Sequence, residues 1–472
     1  MSASLLLHNA EVGGQPGMEV RVDRGQVLQV GPTLGRRRGE AVLDAAGGAV
    51  IPGLHDHHVH LRALIAARQS VDASPAADPR EFDRLIAESA RPIGPGVSLR
   101  VIGWHEASAG PLDRYRLDKL SGTVPVRVQH RSGVLWVLNS AALRQAGADH
   151  SDLAGIERDE RGVATGRLIR MDRWLRDRVG STMPAGVFRG QLATYARQAA
   201  CLGLTGFTDA TPDRDQSDVD EFASLAADGV VPQRLVLMAP PGLSEPLADR
   251  VSLGPRKVIL DDATLPSVAE LAELARSAHR SGSRVALHCV TAEQLVLATA
   301  ALEQAGGVDG DRIEHASVVP PGYSGRLARL GAAVVTQPGF IGVRGDSYIR
   351  DVSPDEQTWL YPCATLLRSG VVLAAGSDAP FGPWDPWQCV ASAVTRRTPA
   401  GAVIGPGERI TALRALRLSL AAPDDLSVLR RVAPGQPGDL CVLRAPLRTF
   451  LSGPTAEGIR AGIVAGRVFE RT

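Results

Sequence analysis

PGLHDHHVHL, residues 52–61, places four of the chain's eleven histidines at positions 55, 57, 58 and 60. In an extended strand residues i and i+2 share a face, so His58 and His60 offer two imidazoles to one ion while His55 and His57 point elsewhere. Taken alone, an HxH pair serves a metal or a packed core about equally well. The later sequence shifts that balance. His288 closes the apolar run SRVALH, His315 follows in DRIEHA, and Asp378 closes VVLAAGSD. All are metal-ligand types at the C-terminal ends of strand-like runs, where α/β barrels carry their reactive groups.

The chain around this series is long enough for one large domain and a smaller one. Its 472 residues exceed the roughly 250 of an α/β barrel. The 44% hydrophobic content supplies a full core, and 52 basic against 51 acidic residues leave a net charge of +1. No basic stripe or charge run points to nucleic acid or to a membrane surface. Cys201, Cys289, Cys363, Cys389 and Cys441 are scattered and form no CxxC pair, which argues against a disulfide framework and a zinc–thiolate site and fits a reducing cytoplasm. The opening MSASLLLHNAEVGG reads as a strand rather than a signal peptide, and no run approaches membrane-spanning length.

Residues 1–52 read as short strands joined by turns, as in MEVRVDRGQVLQVG. From residue 53 to about 404 short apolar runs alternate with helical stretches, the pattern of βαβ units. The clearest unit runs from RKVIL through LPSVAELAELARSAHRSG to SRVALHC, with a capping box from Ser267 and Glu270 and Gly282 at the helix end. Further runs are GLTGFTDA, RIEHASVV, GAAVVTQP and VVLAAGSDAP. Residues 62–165 are too long for a loop and read as an insertion over the barrel mouth. Residues 405–472 bring a helix, ITALRALRLSLA, and strands like those of the first fifty residues, so both termini are expected to build one β-sandwich.

The ordered set IPGLHDHHVHL, VLNSAAL, GLTGFTDA, RIEHASVV, VVTQPGF, GSDAPF, APGQPGDLCVL and IVAGRVF resembles the amidohydrolase superfamily, in its branch of N-substituted formamide deformylase and YtcJ-like proteins. The resemblance implies an α/β fold: a (β/α)8 TIM barrel with a small β-sandwich domain built from both termini, and a site for one or two metal ions, usually Zn2+. Carried over, His58 and His60 would hold the more buried ion and His288 and His315 the more exposed one. Asp378 would ligate and shuttle protons. Lys257 stands where the family's fourth strand often supplies a lysine whose carbamate bridges two metals; a lysine ammonium has no lone pair, whereas the carbamate has two oxygens. A solvated basic residue beside Arg256 is the other reading of Lys257, with Asp261 and Asp262 as substitute carboxylates.

Two positions depart from the branch. Val134 stands where relatives usually carry a histidine before NSAAL, and Arg170 in TGRLIR where they usually carry a glutamate. Trp104 and Trp136 read either as pocket walls or as core packing, and Arg170 either as a cationic grip or as a solvated side chain; as walls and grip they would favour a hydrophobic amide, one bearing a carboxylate if Arg170 faces the pocket. His105, Glu106, His130 and Arg131 are further candidates for substrate recognition or for a solvated surface. The reaction implied is hydrolysis of a non-peptide C–N bond in a small amide, N-substituted formamide or cyclic amide. A mononuclear aminohydrolase (deaminase) and a catalytically silent ligand-binding relative are the alternatives, and self-association into a homo-oligomer is left open.

Overall fold

The computed structural model describes residues 4–94, 97–179 and 185–471. They divide into two compact units, one of residues 1–61 with 192–472 and one of residues 62–191.

In the first unit the reactive strand Leu54–Val59 lies parallel to Leu204–Asp209, followed in the same sheet by Arg234–Met238 and Val251–Gly254. A second parallel sheet runs Arg256–Val258, Val285–Cys289, Arg312–His315, Ala333–Thr336 and Leu373–Ala375. Only Pro255 separates Gly254 from Arg256, so residues 251–258 pass from one sheet to the other. Proline has no N–H to give a ladder, which accounts for the break at that residue. Helices alternate with these strands. Val268–Arg280 starts at a reciprocal capping box of Ser267 and Glu270, as the sequence predicts, and Gly282 follows its end at φ 78°. The unit is thus a mixed α/β fold of parallel strands and intervening helices.

Among the described residues no ladder joins Leu373–Ala375 to Leu54–Val59. The two edges meet instead through isolated bonds: Asp378 N–H donates to His58 O at 2.7 Å and His60 N–H to Ala379 O at 2.9 Å. The approach is too close for a side chain, because a Cβ on Gly376 would lie 2.5 Å from both the backbone N and the Cβ of His58.

The termini form two further four-stranded sheets. One orders Gln26–Gly31, Gln15–Asp23, Leu5–Val12 and Ala41–Asp44; the other orders Arg467–Glu470, Ile459–Val464, Leu440–Leu443 and Val50–Pro52. Leu5, Leu7, Val20 and Val22 of the first and Val50, Leu440, Val442 and Ile463 of the second share one apolar cluster, so the two ends of the chain bury a common core.

The second unit carries a six-stranded sheet in the order Ile156–Arg158, Ala164–Ile169, Leu135–Leu138, Val126–His130, Leu99–Trp104 and Val71–Asp72. It extends beyond the expected 62–165 insertion to residue 191. Ala164–Ile169 pairs with Leu135–Leu138, and Leu175 of the next helix packs in the same cluster as Trp136, so burial keeps the later residues with this sheet. Among the described residues no helix is long and apolar enough to cross a membrane.

Gly376→Ala is expected to lower the unfolding free energy by about 1–3 kcal/mol, the usual cost of overpacking. Calorimetric melting checks this, and an unchanged melting temperature would show that the 376–378 segment has slack against His58.

Candidate metal centre

His58 lies fully buried in the Leu54–Val59 strand, and its Nδ1 is bonded to the carboxylate of Glu314 in the Arg312–His315 strand. Glu314 is itself held by Arg312, whose Nε donates to Glu314 Oε1 at 2.8 Å and whose Nη2 donates to His57 O at 2.9 Å. A carboxylate partner places the imidazole proton on Nδ1 and leaves the Nε2 lone pair directed away from it. That lone pair faces Lys257 Nζ at 3.4 Å and Asp378 Oδ1 at 3.6 Å.

His315 reaches the same state by another route. Gln337 donates its amide N–H to Val335 O at 3.2 Å, which turns its Oε1 toward His315 Nδ1 at 2.8 Å. An amide oxygen only accepts, so Nδ1 carries the proton and Nε2 the lone pair. His315 Nε2 is buried and meets no hydrogen-bond partner among the described residues, and Asp378 Oδ1 likewise lacks a well-aligned one. Two buried, unsatisfied acceptors on neighbouring side chains are costly unless a cation meets them.

Asp378 stands at the centre, with Oδ1 3.3 Å from His60 Nε2 and Oδ2 3.9 Å from His315 Nδ1. His288, at the end of Val285–Cys289, sets its ring edge-on against His315 with centroids 4.5 Å apart. One ligand atom each from His58, His60 and Asp378 lie within 4.8 Å of one another. Asp378 and His315 adopt φ of 53° and 71°, left-handed values uncommon for non-glycine residues. Such strain concentrates at functional sites, where surrounding structure enforces it.

Electrostatics suit ligation. Burial lowers the His58 and His315 pKa values, that of His315 to about 4, so both imidazoles are neutral at pH 7. Burial opposes the Asp378 charge, but His60, His315 and His58 outweigh it and hold the carboxyl below its usual range. Burial also brings Lys257 down to about 8 against the opposing pull of Glu314 and Asp378. The donor set of neutral imidazoles and a carboxylate fits a divalent metal such as zinc.

The structure therefore brings His58, His60, His288, His315, Asp378 and Lys257 together. Lys257 is buried rather than solvated. Asp261 instead caps the turn at Ala263, and Asp262 accepts from Thr291 and Gln294. His55 bonds Thr208 through Nε2 at 2.9 Å, and His57 packs beside His55. The substrate candidates fare differently. Trp104 is buried in the core of the second unit with its indole N–H on Gly110 O, and Trp136 is buried with its N–H on Asp172 Oδ1 at 2.8 Å, so packing replaces a pocket-lining role for both. Arg170 is exposed at a turn with φ 54°. Glu314, Gln337 and Asp56 were not singled out from the sequence. Asp56 accepts from Ser377 N–H at 2.8 Å and Ser377 hydroxyl at 2.6 Å, and so fastens the segment leading to Asp378 onto the histidine strand.

The amidohydrolase family model matches residues 41–469, and the chain belongs to that family of hydrolases acting on C–N bonds. It is similar to N-substituted formamide deformylase of Arthrobacter pascens, 28% identical over 438 residues that cover 81% of this chain and 80% of that protein. It is also similar to the putative amidohydrolase YtcJ of Bacillus subtilis (strain 168), at 25% identity over 75% of this chain and 74% of that one. An uncharacterized metal-dependent hydrolase from Pyrococcus horikoshii OT3 shares the fold with a TM-score of 0.71 and 20% identity, covering 94% of this chain and 97% of that one.

Glu314→Gln removes the charge that fixes the His58 tautomer while keeping its shape. Zn2+ affinity measured by competition with a chromogenic chelator is expected to fall about 10–100-fold, whereas His55→Ala should leave it within a few-fold of the parent.

Proposed function

We propose that the chain hydrolyses the C–N bond of a small amide, an N-substituted formamide or a cyclic amide at a centre of one or two Zn2+ ions held by His58, His60, His288, His315, Asp378 and Lys257. The observation that carries this reading is the pair of unsatisfied acceptors, His315 Nε2 and Asp378 Oδ1, buried in one cluster with the Nε2 lone pair of His58. The formamide class comes from the likeness to the Arthrobacter enzyme. In this reading the nine parallel segments close as a (β/α)8 barrel, with residues 251–258 acting as one strand, and the terminal sheets form a β-sandwich. The five unpaired cysteines agree with a reducing cytoplasm.

A bound divalent ion supplies Lewis acidity, polarising the carbonyl and lowering the pKa of water to about 7. The protein supplies proton transfer and positioning. Asp378, ionised and facing three imidazoles, takes a proton from the attacking water and returns it to the departing nitrogen, giving an acid and an amine. His58 is held on target by Glu314, and His315 by Gln337. Lys257 would hold metal only as a carbamate, formed by addition of CO2 at Nζ with loss of a proton, which would supply two oxygen donors where the ammonium has none. A mononuclear aminohydrolase would need the histidines and Asp378 but no carbamate, so metal stoichiometry separates the two readings.

Asp378→Asn is expected to retain metal and fold yet lose about 10²–10⁴-fold in kcat/KM toward N-substituted formamides, because an amide cannot accept the proton. Activity within a few-fold of the parent would move the base elsewhere.

Lys257→Ala should reduce the zinc content of purified protein toward one ion, with partial recovery of turnover in added short-chain carboxylates. Two retained ions with full activity would remove Lys257 from the centre.

A further inference from the structure

The Leu99–Trp104 and Val126–His130 strands of the second unit run parallel with Trp104 opposite His130, so their C-terminal ends lie side by side. His105 and Glu106 follow the first strand, and His130 ends the second. The rings of His105 and His130 are 5.2 Å apart, and His130 Nε2 lies 3.1 Å from Glu106 Oε2. One ligand atom from each of His105, Glu106 and His130 fall within 4.8 Å of one another. None of these residues belongs to the His58 cluster.

We propose that His105, Glu106 and His130 form a second metal site, taking a divalent transition ion of the zinc or copper type. Two imidazoles and one carboxylate select such ions over calcium or magnesium, which prefer all-oxygen shells. The His130 side chain is 15% exposed and its Nε2 is buried without a well-aligned hydrogen bond, although a carboxylate stands beside it. Its Nδ1 accepts from Ser132 N–H at 3.2 Å and sits 2.7 Å from Ser132 Oγ, which takes the proton a metal-bound imidazole keeps on Nδ1 once the backbone bond is surrendered. Trp104, buried and edge-on to the His130 ring at 5.3 Å, holds that ring in place. Burial lowers the His130 pKa, so the neutral form is present at pH 7.

Binding has costs that set a modest affinity. Arg167 stands 3.7 Å from Glu106 Oε1 and competes for it, and His105 Nδ1 accepts from Ala107 N–H at 3.2 Å, a bond surrendered when His105 ligates through Nε2. Glu106 is 41% exposed, so the ion would keep an open position toward solvent.

Equilibrium dialysis of the full chain against Zn2+ alone, with metal counted by mass spectrometry, tests the site. His105→Ala/His130→Ala is expected to bind one equivalent fewer than the parent, and Co2+ added to the parent should give a d–d absorption component missing from that variant. Glu106→Gln, at an exposed position that leaves folding intact, should weaken the same equivalent at least tenfold without altering the rest. Equal stoichiometry and equal cobalt spectra in parent and variants would overturn the proposal and leave the three residues as a hydrogen-bonded cluster. Because the His58 residues remain intact in every variant, loss of the other equivalents would report on that centre and not on this one.

Discussion

The backbone hydrogen bond from Asp378 to the carbonyl of His58, 2.7 Å long, is the constraint on which the candidate metal centre depends. It joins the last parallel strand segment to the first without a ladder. Asp56 reinforces it from one side by accepting two hydrogen bonds from Ser377, and Gly376 permits it from the other by presenting no Cβ. Within that clamp Asp378 adopts φ 53°, a conformation that costs on the order of 1–3 kcal/mol and persists only where its surroundings over-determine it. The return is placement: the carboxylate faces His58, His60 and His315, which come from two different sheets.

Much of this cluster of side chains is legible in the sequence. The i, i+2 spacing of His58 and His60, and the strand-end positions of His288, His315 and Asp378, follow from the period of a strand and from where barrels place chemistry. Glu314 was hidden by the same rule. Next to His315 in a regular strand it would face the opposite side, but His315 turns to φ 71° as the strand ends, and both side chains reach the cluster. Gln337 was hidden because a glutamine after a strand carries no signal until the partner of each of its two ends is known. Lys257 reads as a strand start when the strand is taken as RKVIL. The strand is only Arg256–Val258, so Lys257 is its middle residue and its chain reaches inward.

The second unit shows where local reading leaves two alternatives that packing decides. Trp104 ends the apolar run LRVIGW and Trp136 lies inside VLWVL, a pattern that fits a pocket wall and a packed core alike. Each indole N–H finds an acceptor inside the unit, Gly110 O and Asp172 Oδ1, so burial leaves no polar atom unsatisfied and the rings are free to pack. The compact unit runs on to residue 191 for a related reason. Strand pairing between residues distant in sequence, here Ala164–Ile169 with Leu135–Leu138, is a tertiary fact that no window of local pattern contains.

The crowding of histidines in PGLHDHHVHL has a physical resolution. His55, His57 and His58 are all buried, and burial lowers the pKa of each, so the three are neutral together. Protonation state therefore does not separate a ligand from a core residue within this strand; what separates them is the partner on the second nitrogen. His55 directs Nε2 to the hydroxyl of Thr208 and is satisfied within the protein. His58 commits Nδ1 to Glu314, a carboxylate already fixed by Arg312, which leaves its Nε2 a directed lone pair beside Lys257 and Asp378. The free Nε2 lone pair of His58 is thus set from the Arg312–His315 strand, more than 250 residues along the chain.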